Sequence, residues 1–175
     1  LKGVLENAGR TLTLDSTTGS WSINGGRIKG GTVTESGEML IFTSNTGNRL
    51  DGVTVNGDLD LTANNAAVLV LNGLTLNGTA TLGLGAYWGC GGDQAFAAGT
   101  VVLSSGKLSL WYGTNLTLGP AVTVRGSAGT IGQFYPGSST GATSIVNQGL
   151  IASDAPGTIS TYSSSHLTFT NEGQL

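Results

Sequence analysis

Residues 50–61, with the sequence LDGVTVNGDLDL, recur as LNGLTLNGTATL at residues 71–82, which is 21 positions further along the chain. The apolar positions of the two blocks coincide, and so do both glycines. A block that recurs at an interval of about 20 residues is typical of a solenoid, in which each coil needs a neighbour to bury its apolar face. The repeat therefore predicts a stack of similar coils.

Apolar and polar residues alternate within both blocks, as they do in half-buried β-strands. We expect Val53 and Val55 to point inward on a first strand, and Leu59 and Leu61 to do so on a second. Residues 67–71 are almost wholly apolar and are predicted to form a third strand. One coil would then consist of three short strands.

Asn-Gly pairs at Asn56-Gly57 and Asn72-Gly73 separate these strands, and residues 62–66 form a longer polar loop. Both residue types of the pair accept positive φ angles, so they turn the chain sharply. The sequence therefore predicts an all-β fold, a single-chain parallel β-helix with about 20–21 residues per coil and coils about 4.8 Å apart. About eight such coils fit into 175 residues.

An antiparallel meander or a β-propeller is the alternative, because Asn-Gly also favours hairpins. Hairpins prefer two-residue loops between strands of similar length, whereas residues 43–48 and 62–66 are longer connections. A propeller blade repeats only at about 40 residues or more. The parallel β-helix is the preferred prediction for residues 1–175, which we interpret as one segment of a longer protein.

The composition disfavours several functions. Only 10% of the residues are charged and the net charge is −3, whereas a nucleic-acid surface needs clustered Lys and Arg. No stretch of about 18 apolar residues predicts insertion into a membrane. A single cysteine, Cys90, and a single histidine, His166, supply neither a disulfide framework nor a zinc site. Cys90 and His166 are also expected to lie several coils apart, so we predict no thiol nucleophile. The sequence indicates no other catalytic residue and no cofactor.

Residues 83–98 are the least repetitive part of the chain, and the spacing predicts an inserted loop there. Leu108 and Leu110 follow Ala80 and Leu82 by an interval that is about seven residues longer than one coil. Insertions into solenoids often lie on a binding face. This loop is therefore the first place to look for a ligand.

Aromatic residues are concentrated in this segment. Tyr87, Trp88 and Phe96 lie within it, and Trp111 follows about one coil later. Flat aromatic rings have apolar faces that stack well on sugar rings. These four residues are the candidate surface for a glycan or another partner, although the preferred interpretation is that they fold back and cover a coil.

Asp58 and Asp60 are expected to point outward on one strand and are weak candidates for a calcium site. Calcium takes about 6–8 oxygen ligands, and two carboxylates supply only part of that number. In the next coil Thr79 and Thr81 replace the two aspartates, so no ladder of charge continues. A solvated polar surface is the preferred interpretation.

Threonines at outward positions recur from coil to coil, for example at Thr54 and Thr75. A regular Thr-x-Thr ladder on a flat β-helix face would suggest ice binding. Only Thr79-Ala80-Thr81 and a few scattered pairs approach that pattern, and we expect the stack to be interrupted by Asp58/Asp60 and Lys107/Ser109. Ordinary β-propensity then explains the threonines.

The repeated Leu-x-Gly-Val/Leu-Thr-Val/Leu-Asn-Gly block and the Asn-x-Gly corners resemble the repeat regions of large bacterial surface and secreted proteins. These include autotransporter passengers and filamentous-haemagglutinin-like adhesins, whose stalks are right-handed parallel β-helices. The resemblance covers most of the chain except residues 83–98. It implies an extracellular or cell-surface location and a structural or adhesive role, and it supplies no catalytic residues.

Two functions remain open. The first is a non-catalytic scaffold segment of a bacterial cell-surface or secreted protein. Its partners would be neighbouring coils of the same longer chain, further copies joined end to end, or extracellular glycans. The second is a carbohydrate-active β-helix module, either a polysaccharide binder or a lyase, that uses the aromatic insertion.

Overall fold

The computed structural model describes residues 1–111, 113–134, 141–162 and 165–175. Within these ranges every pairing between strands is parallel, and no residue lies in a helix. The strands form a β-solenoid of about seven turns, slightly fewer than the sequence suggested. The predicted parallel β-helix is therefore confirmed, whereas a meander or a propeller would need antiparallel pairs.

The described residues contain sixteen strands. In chain order they are β1 (Val4–Glu6), β2 (Thr11–Leu14), β3 (Trp21–Ile23), β4 (Arg27–Lys29), β5 (Thr32–Glu35), β6 (Leu40–Phe42), β7 (Arg49–Asn56), β8 (Leu59–Leu61), β9 (Ala67–Leu76), β10 (Thr79–Leu82), β11 (Tyr87–Gly91), β12 (Gln94–Leu110), β13 (Asn115–Phe134), β14 (Thr143–Asn147), β15 (Leu150–Thr161) and β16 (Leu167–Asn171).

The strands stack into three walls, which we call sides A, B and C. Side A begins with β1 and β4, side B with β2 and β5, and side C with β3 and β6, and each coil runs through them in that order. In the first two coils each wall receives a separate short strand. Strands β7, β9, β12, β13 and β15 instead continue around corners, so the later coils have fewer and longer strands than predicted.

The repeat has a different length on different sides. Val53 pairs with Leu74 on side B, whereas Leu50 pairs with Val70 on side A, so the interval on side A is shorter by one position. Leu71 was aligned with Leu50 in the sequence repeat, yet it lies opposite Asp51 on the outward surface. The difference must therefore be absorbed at the corner between sides A and B.

That corner is built differently in the third coil, which contains β7 and β8, and in the fourth coil, which contains β9 and β10. Gly52 alone, with a φ of 63°, turns the third coil from side A to side B. In the fourth coil Asn72 and Gly73 share the turn, with φ angles of 53° and 90°. Asparagine and glycine tolerate these left-handed angles better than other residues. The predicted Asn72-Gly73 corner is thus confirmed, and it accommodates the additional residue.

Residues 83–98 do not form an inserted loop. Strand β11 pairs in register with β9 on one side and β12 on the other. The inward column on side A, which consists of Leu50, Val70, Cys90 and Leu110, advances by the same interval at each step. Leu82 pairs with Leu103 on side C, whereas Leu110 lies on side A. The long sequence interval from Leu82 to Leu110 therefore compares residues on different sides. The sequence of this coil changes, but its inward positions remain apolar.

A continuous apolar core fills the solenoid. The inward column Val68, Trp88 and Leu108 lies beside the Cys90 column on side A, and all three side chains are buried. The rings of Trp88 and Phe96 pack with their centroids 5.2 Å apart. Burial of such stacked side chains in every coil provides most of the free energy that holds a solenoid together.

Polar side chains form hydrogen bonds that join the corners of neighbouring coils. Asn48 is fully buried, and its Nδ2 donates to the carbonyl oxygens of Thr43 at 3.0 Å and Ala67 at 2.9 Å. Its Oδ1 accepts the N–H of Gly25 at 2.6 Å. One asparagine therefore links three successive coils at the corner between sides C and A.

Candidate functional site

Two of the four candidate aromatic residues lie in the core. Trp88 is 1% exposed and Phe96 is 5% exposed, and the two rings pack against each other. Neither ring is available for stacking on a sugar. Because side chains of adjacent strand residues point to opposite sides, Tyr87 and Trp88 cannot both face outward.

Tyr87 and Trp111 lie on the outward surface of side A and are half-buried. The Lys107 ammonium lies 2.9 Å from the Tyr87 hydroxyl and 4.4 Å from the centre of its ring. Trp111 packs over Gly91, where an added Cβ would lie 3.2 Å from the Trp111 ring. The structure thus brings Tyr87 and Trp111 to one surface and separates them from Trp88 and Phe96.

Asp58 and Asp60 lie on side C beside a groove of about 180 Å³. Asp58 Oδ1 accepts the N–H of Thr79 at 2.7 Å, and Asp60 Oδ1 accepts the N–H of Thr62 at 2.8 Å. Both carboxylates therefore accept hydrogen bonds from backbone N–H groups at the corners of the coils. In the described part of the chain, no three His, Cys, Asp or Glu residues are placed to hold a metal ion.

Glu35 is a half-buried carboxylate that was not among the candidates from the sequence. Its two oxygens accept the N–H groups of Leu40 at 2.8 Å and Asp58 at 2.9 Å, so it ties the corners of two coils together. Partial burial raises the pKa of Glu35, and the nearby charges of Asp58 and Asp60 act in the same direction. Only knowledge of how the coils stack could have revealed this site.

Side A carries an ordered set of charges in its first three coils. Asp51 is 4% exposed and forms an ion pair with Arg27, and its Oδ1 accepts from Asn72 Nδ2 at 2.6 Å. Burial by itself would raise the pKa of Asp51, but these hydrogen bonds and the Arg27 charge hold that pKa below the ordinary value of an aspartate. Lys29 pairs with Glu6 at 3.4 Å in the same stack.

Side B carries a two-column array of hydroxyl and amide side chains in the first four coils. The first column is Thr11, Thr32, Thr54 and Thr75, and the second is Thr13, Thr34, Asn56 and Asn77. We call these eight residues the side B array. All of them are partly or fully exposed.

The predicted interruption of the Thr79-Ala80-Thr81 pattern by Asp60 is found on side C, where Thr81 pairs with Asp60, and it does not reach side B. Asp58 and Asp60 belong to side C, and Lys107 belongs to side A, so none of them lies on side B. Outward residues compared along the sequence alone cannot be assigned to a wall, which is why the sequence did not separate the side B array from the threonines of side C. The paired Thr-x-Thr motifs in β2 and β5 were the signal that could have identified the array.

Cys90 and His166 are not partners. The Cys90 thiol is buried in the core of side A, where burial strongly raises its pKa. His166 precedes β16 in the last coil, and its carbonyl oxygen accepts the N–H of Thr143 at 2.7 Å. This arrangement offers no activated thiol.

The core opens at the C-terminal end of the solenoid. A cavity of about 380 Å³ is lined mainly by Ile131, Ile151, Ile159, Phe169 and Leu175. Strands β15 and β16 each pair with one neighbouring strand only, so their other edges are largely open. At the opposite end β1, β2 and β3 present corresponding open edges.

No protein-family model, curated protein or solved structure matches this chain. In the described ranges, the structure contains no helix of the length and apolar character needed to cross a membrane.

Proposed function

We propose that this chain is a non-catalytic scaffold segment of a bacterial cell-surface or secreted protein, with a structural or adhesive role. The observation that supports the proposal is a parallel strand ladder that continues through about seven turns and has an open apolar core at its C-terminal end. The resemblance of the repeated block to surface-protein stalks points to the same role.

The physical basis of the scaffold is the stack itself. Each coil is held to the next by main-chain hydrogen bonds on three sides and by inward apolar columns. Contacts in such a stack join only neighbouring coils, so it grows in length without changing its cross-section. The geometry suits a spacer that holds other regions apart.

The two ends of the solenoid complement each other. Open strand edges pair readily with further strands, and a parallel stack requires the last coil of one unit to meet the first coil of the next. Such a head-to-tail contact does not close on itself. The open ends therefore fit either a further coil of the same longer chain or a second copy of the segment.

A carbohydrate-active module receives less support. Tyr87, Lys107 and Trp111 form a small aromatic and cationic surface on side A. Trp88 and Phe96, however, are enclosed in the core and cannot contribute to a platform for sugars. The scaffold function is therefore preferred.

Sedimentation velocity at increasing protein concentration tests the scaffold proposal. The isolated chain is expected to form end-to-end assemblies, and Phe169→Glu is expected to weaken them because it places a charge in the apolar C-terminal cavity. Ile41→Glu is the matched control, since Ile41 is 36% exposed on the lateral surface of side C.

Far-UV circular dichroism of both variants shows whether the strands are retained. A wild-type chain that remains monomeric at all concentrations would contradict the assembly proposal. Equal weakening by Ile41→Glu would also contradict it, because the contact would then involve the sides of the rod.

A further inference from the structure

We propose that the side B array is an ice-binding surface. This property is independent of the scaffold function, because it concerns a lateral wall of the rod. The proposed occupant is the ordered surface of an ice crystal.

The array has two regular repeat distances. Residues two positions apart on a strand point to the same side and lie about 6.6 Å apart, while equivalent residues on adjacent coils lie about 4.8 Å apart. The spacing between coils is close to the shorter oxygen–oxygen repeat on the prism face of ordinary ice, and the spacing along the strand is somewhat shorter than the longer repeat. A rectangular grid of hydroxyl groups with such spacings can hold water molecules in positions that continue the lattice.

The register of the array is uninterrupted. Thr11, Thr32, Thr54 and Thr75 pair directly across four coils. The only register shift in these pairings lies at the corner that follows Asp51, outside the array. The four coils therefore present one even surface.

The threonine side chains of the array are both rigid and available. No hydrogen bond joins the hydroxyls of Thr11, Thr32, Thr54 or Thr75 to another group among the described residues. The branched Cβ restricts each side chain to few rotamers, which keeps the hydroxyls in a fixed arrangement. Each hydroxyl can donate one hydrogen bond and accept two, as a water molecule in the lattice requires.

The asparagines of the array are fixed by each other. Asn77 Nδ2 donates to Asn56 Oδ1 at 2.8 Å, and Asn56 Nδ2 lies 3.5 Å from the Thr34 hydroxyl. The second column is therefore ordered by contacts along the stack. Its outward groups remain partly exposed and can bind water.

The outward strand positions of side B carry no charged residue in the described part of the chain. Beyond the array they are occupied by Ala95, Asn115, Thr117, Ser144, Val146, Thr168 and Thr170. Glu35 and Asp93 lie at the corners, where backbone N–H groups bind their carboxylates.

The neutrality of side B distinguishes it from the other two walls. Side A carries Lys29 and Asp51, and side C carries Asp60 and Arg125. Charged groups hold strongly oriented hydration shells that do not fit an ice lattice. The neutral wall is therefore the one that matches a neutral solid.

Measurements of thermal hysteresis and ice recrystallisation with the purified chain test this proposal. We expect wild-type protein to lower the freezing point below the melting point and to shape ice crystals. Thr54→Tyr should abolish most of this activity, because a large ring in the middle of the array holds the surface away from the ice. Thr75→Tyr, at a more exposed position, should have the same effect without disturbing the fold.

Thr81→Tyr is the matched control, because Thr81 is an outward, half-exposed threonine on side C. It should leave the hysteresis unchanged, and circular dichroism should show the same β content for all variants. Absence of hysteresis in the wild-type chain would overturn the proposal. Equal loss in Thr81→Tyr would do so as well. If Thr54→Tyr instead changed the sedimentation of the chain, the occupant would be a second copy and the proposal would be wrong.

Discussion

The fourth and fifth coils have nearly the same geometry and very different sequences. Strands β9 and β10 of the fourth coil carry the intact repeat, whereas β11 of the fifth coil contains Tyr87-Trp88-Gly89-Cys90-Gly91. Both strands nevertheless keep the same spacing on side A. The comparison shows that a coil requires inward apolar groups at the correct positions and suitable corners, and does not require the repeated residues themselves.

The fifth coil accommodates a tryptophan where its neighbours have smaller side chains. Trp88 lies between Val68 and Leu108 in the inward column, and Phe96 from side B packs against it. The space left beside the two rings is only about 10 Å³. The larger side chain is therefore integrated into the core and is required to fill it.

The largest expected effect is that of Trp88→Ala. Removing a fully buried tryptophan should lower the free energy of unfolding by about 3–5 kcal/mol, because it leaves a cavity beside Phe96. Urea unfolding followed by circular dichroism measures the change. Trp111→Ala removes a half-buried ring outside the core and should cost clearly less. Similar losses in both variants would mean that the fifth coil is not organised around Trp88.

A smaller effect is expected at the corner between sides C and A. Asn48→Ala should destabilise the chain by about 2–3 kcal/mol, since it leaves the carbonyl groups of Thr43 and Ala67 without their buried donor. Thermal unfolding provides the measurement. Asn45→Ala removes an exposed asparagine from the same loop, whose hydrogen bonds to Gly47 and Asn24 lie in solvent, and should cost less, about 0.5–1 kcal/mol. If the two variants were equally stable, the buried hydrogen bonds of Asn48 would not be what holds this corner.

The smallest expected effect concerns pH. The folded-state pKa of Asp51 is lower than its unfolded-state pKa, so its pairing stabilises the fold fully above the unfolded-state value. This contribution is lost as the pH falls through the folded-state pKa. Asp51→Asn should cost about 1–2 kcal/mol near neutral pH and progressively less in acid. Urea titrations of both proteins at several pH values measure the difference. A difference that does not change with pH would show that the Asp51 charge has no role.

The fold could be predicted well because the inward alternation and the Asn-Gly corners reflect local physical requirements. Val53, Val55, Leu59 and Leu61 are all buried as expected. The prediction of an inserted loop at residues 83–98 is wrong because the corner glycines and inward apolar residues of that coil do not resemble the repeat. The stack preserves periodicity in side-chain direction and does not require periodicity in residue identity.

The candidate sites were harder to predict. The direction of Trp88 depends on the strand register, which is determined by pairing with Val68 and Leu108. The side B array depends on which wall each threonine occupies, and that assignment requires the length of every corner. A single additional residue at Asn72-Gly73 is enough to move all later positions relative to the simple repeat.

The three walls have a consequence for how the molecule meets a flat surface. Side A carries ion pairs and an aromatic–lysine contact, the outward strand positions of side B are neutral, and side C carries Asp58 and Asp60. A rod that lies flat presents one wall at a time. Which wall contacts the surface therefore depends only on how the rod is rotated about its long axis. Different rotations would present chemically different walls to different surfaces with no change in internal structure.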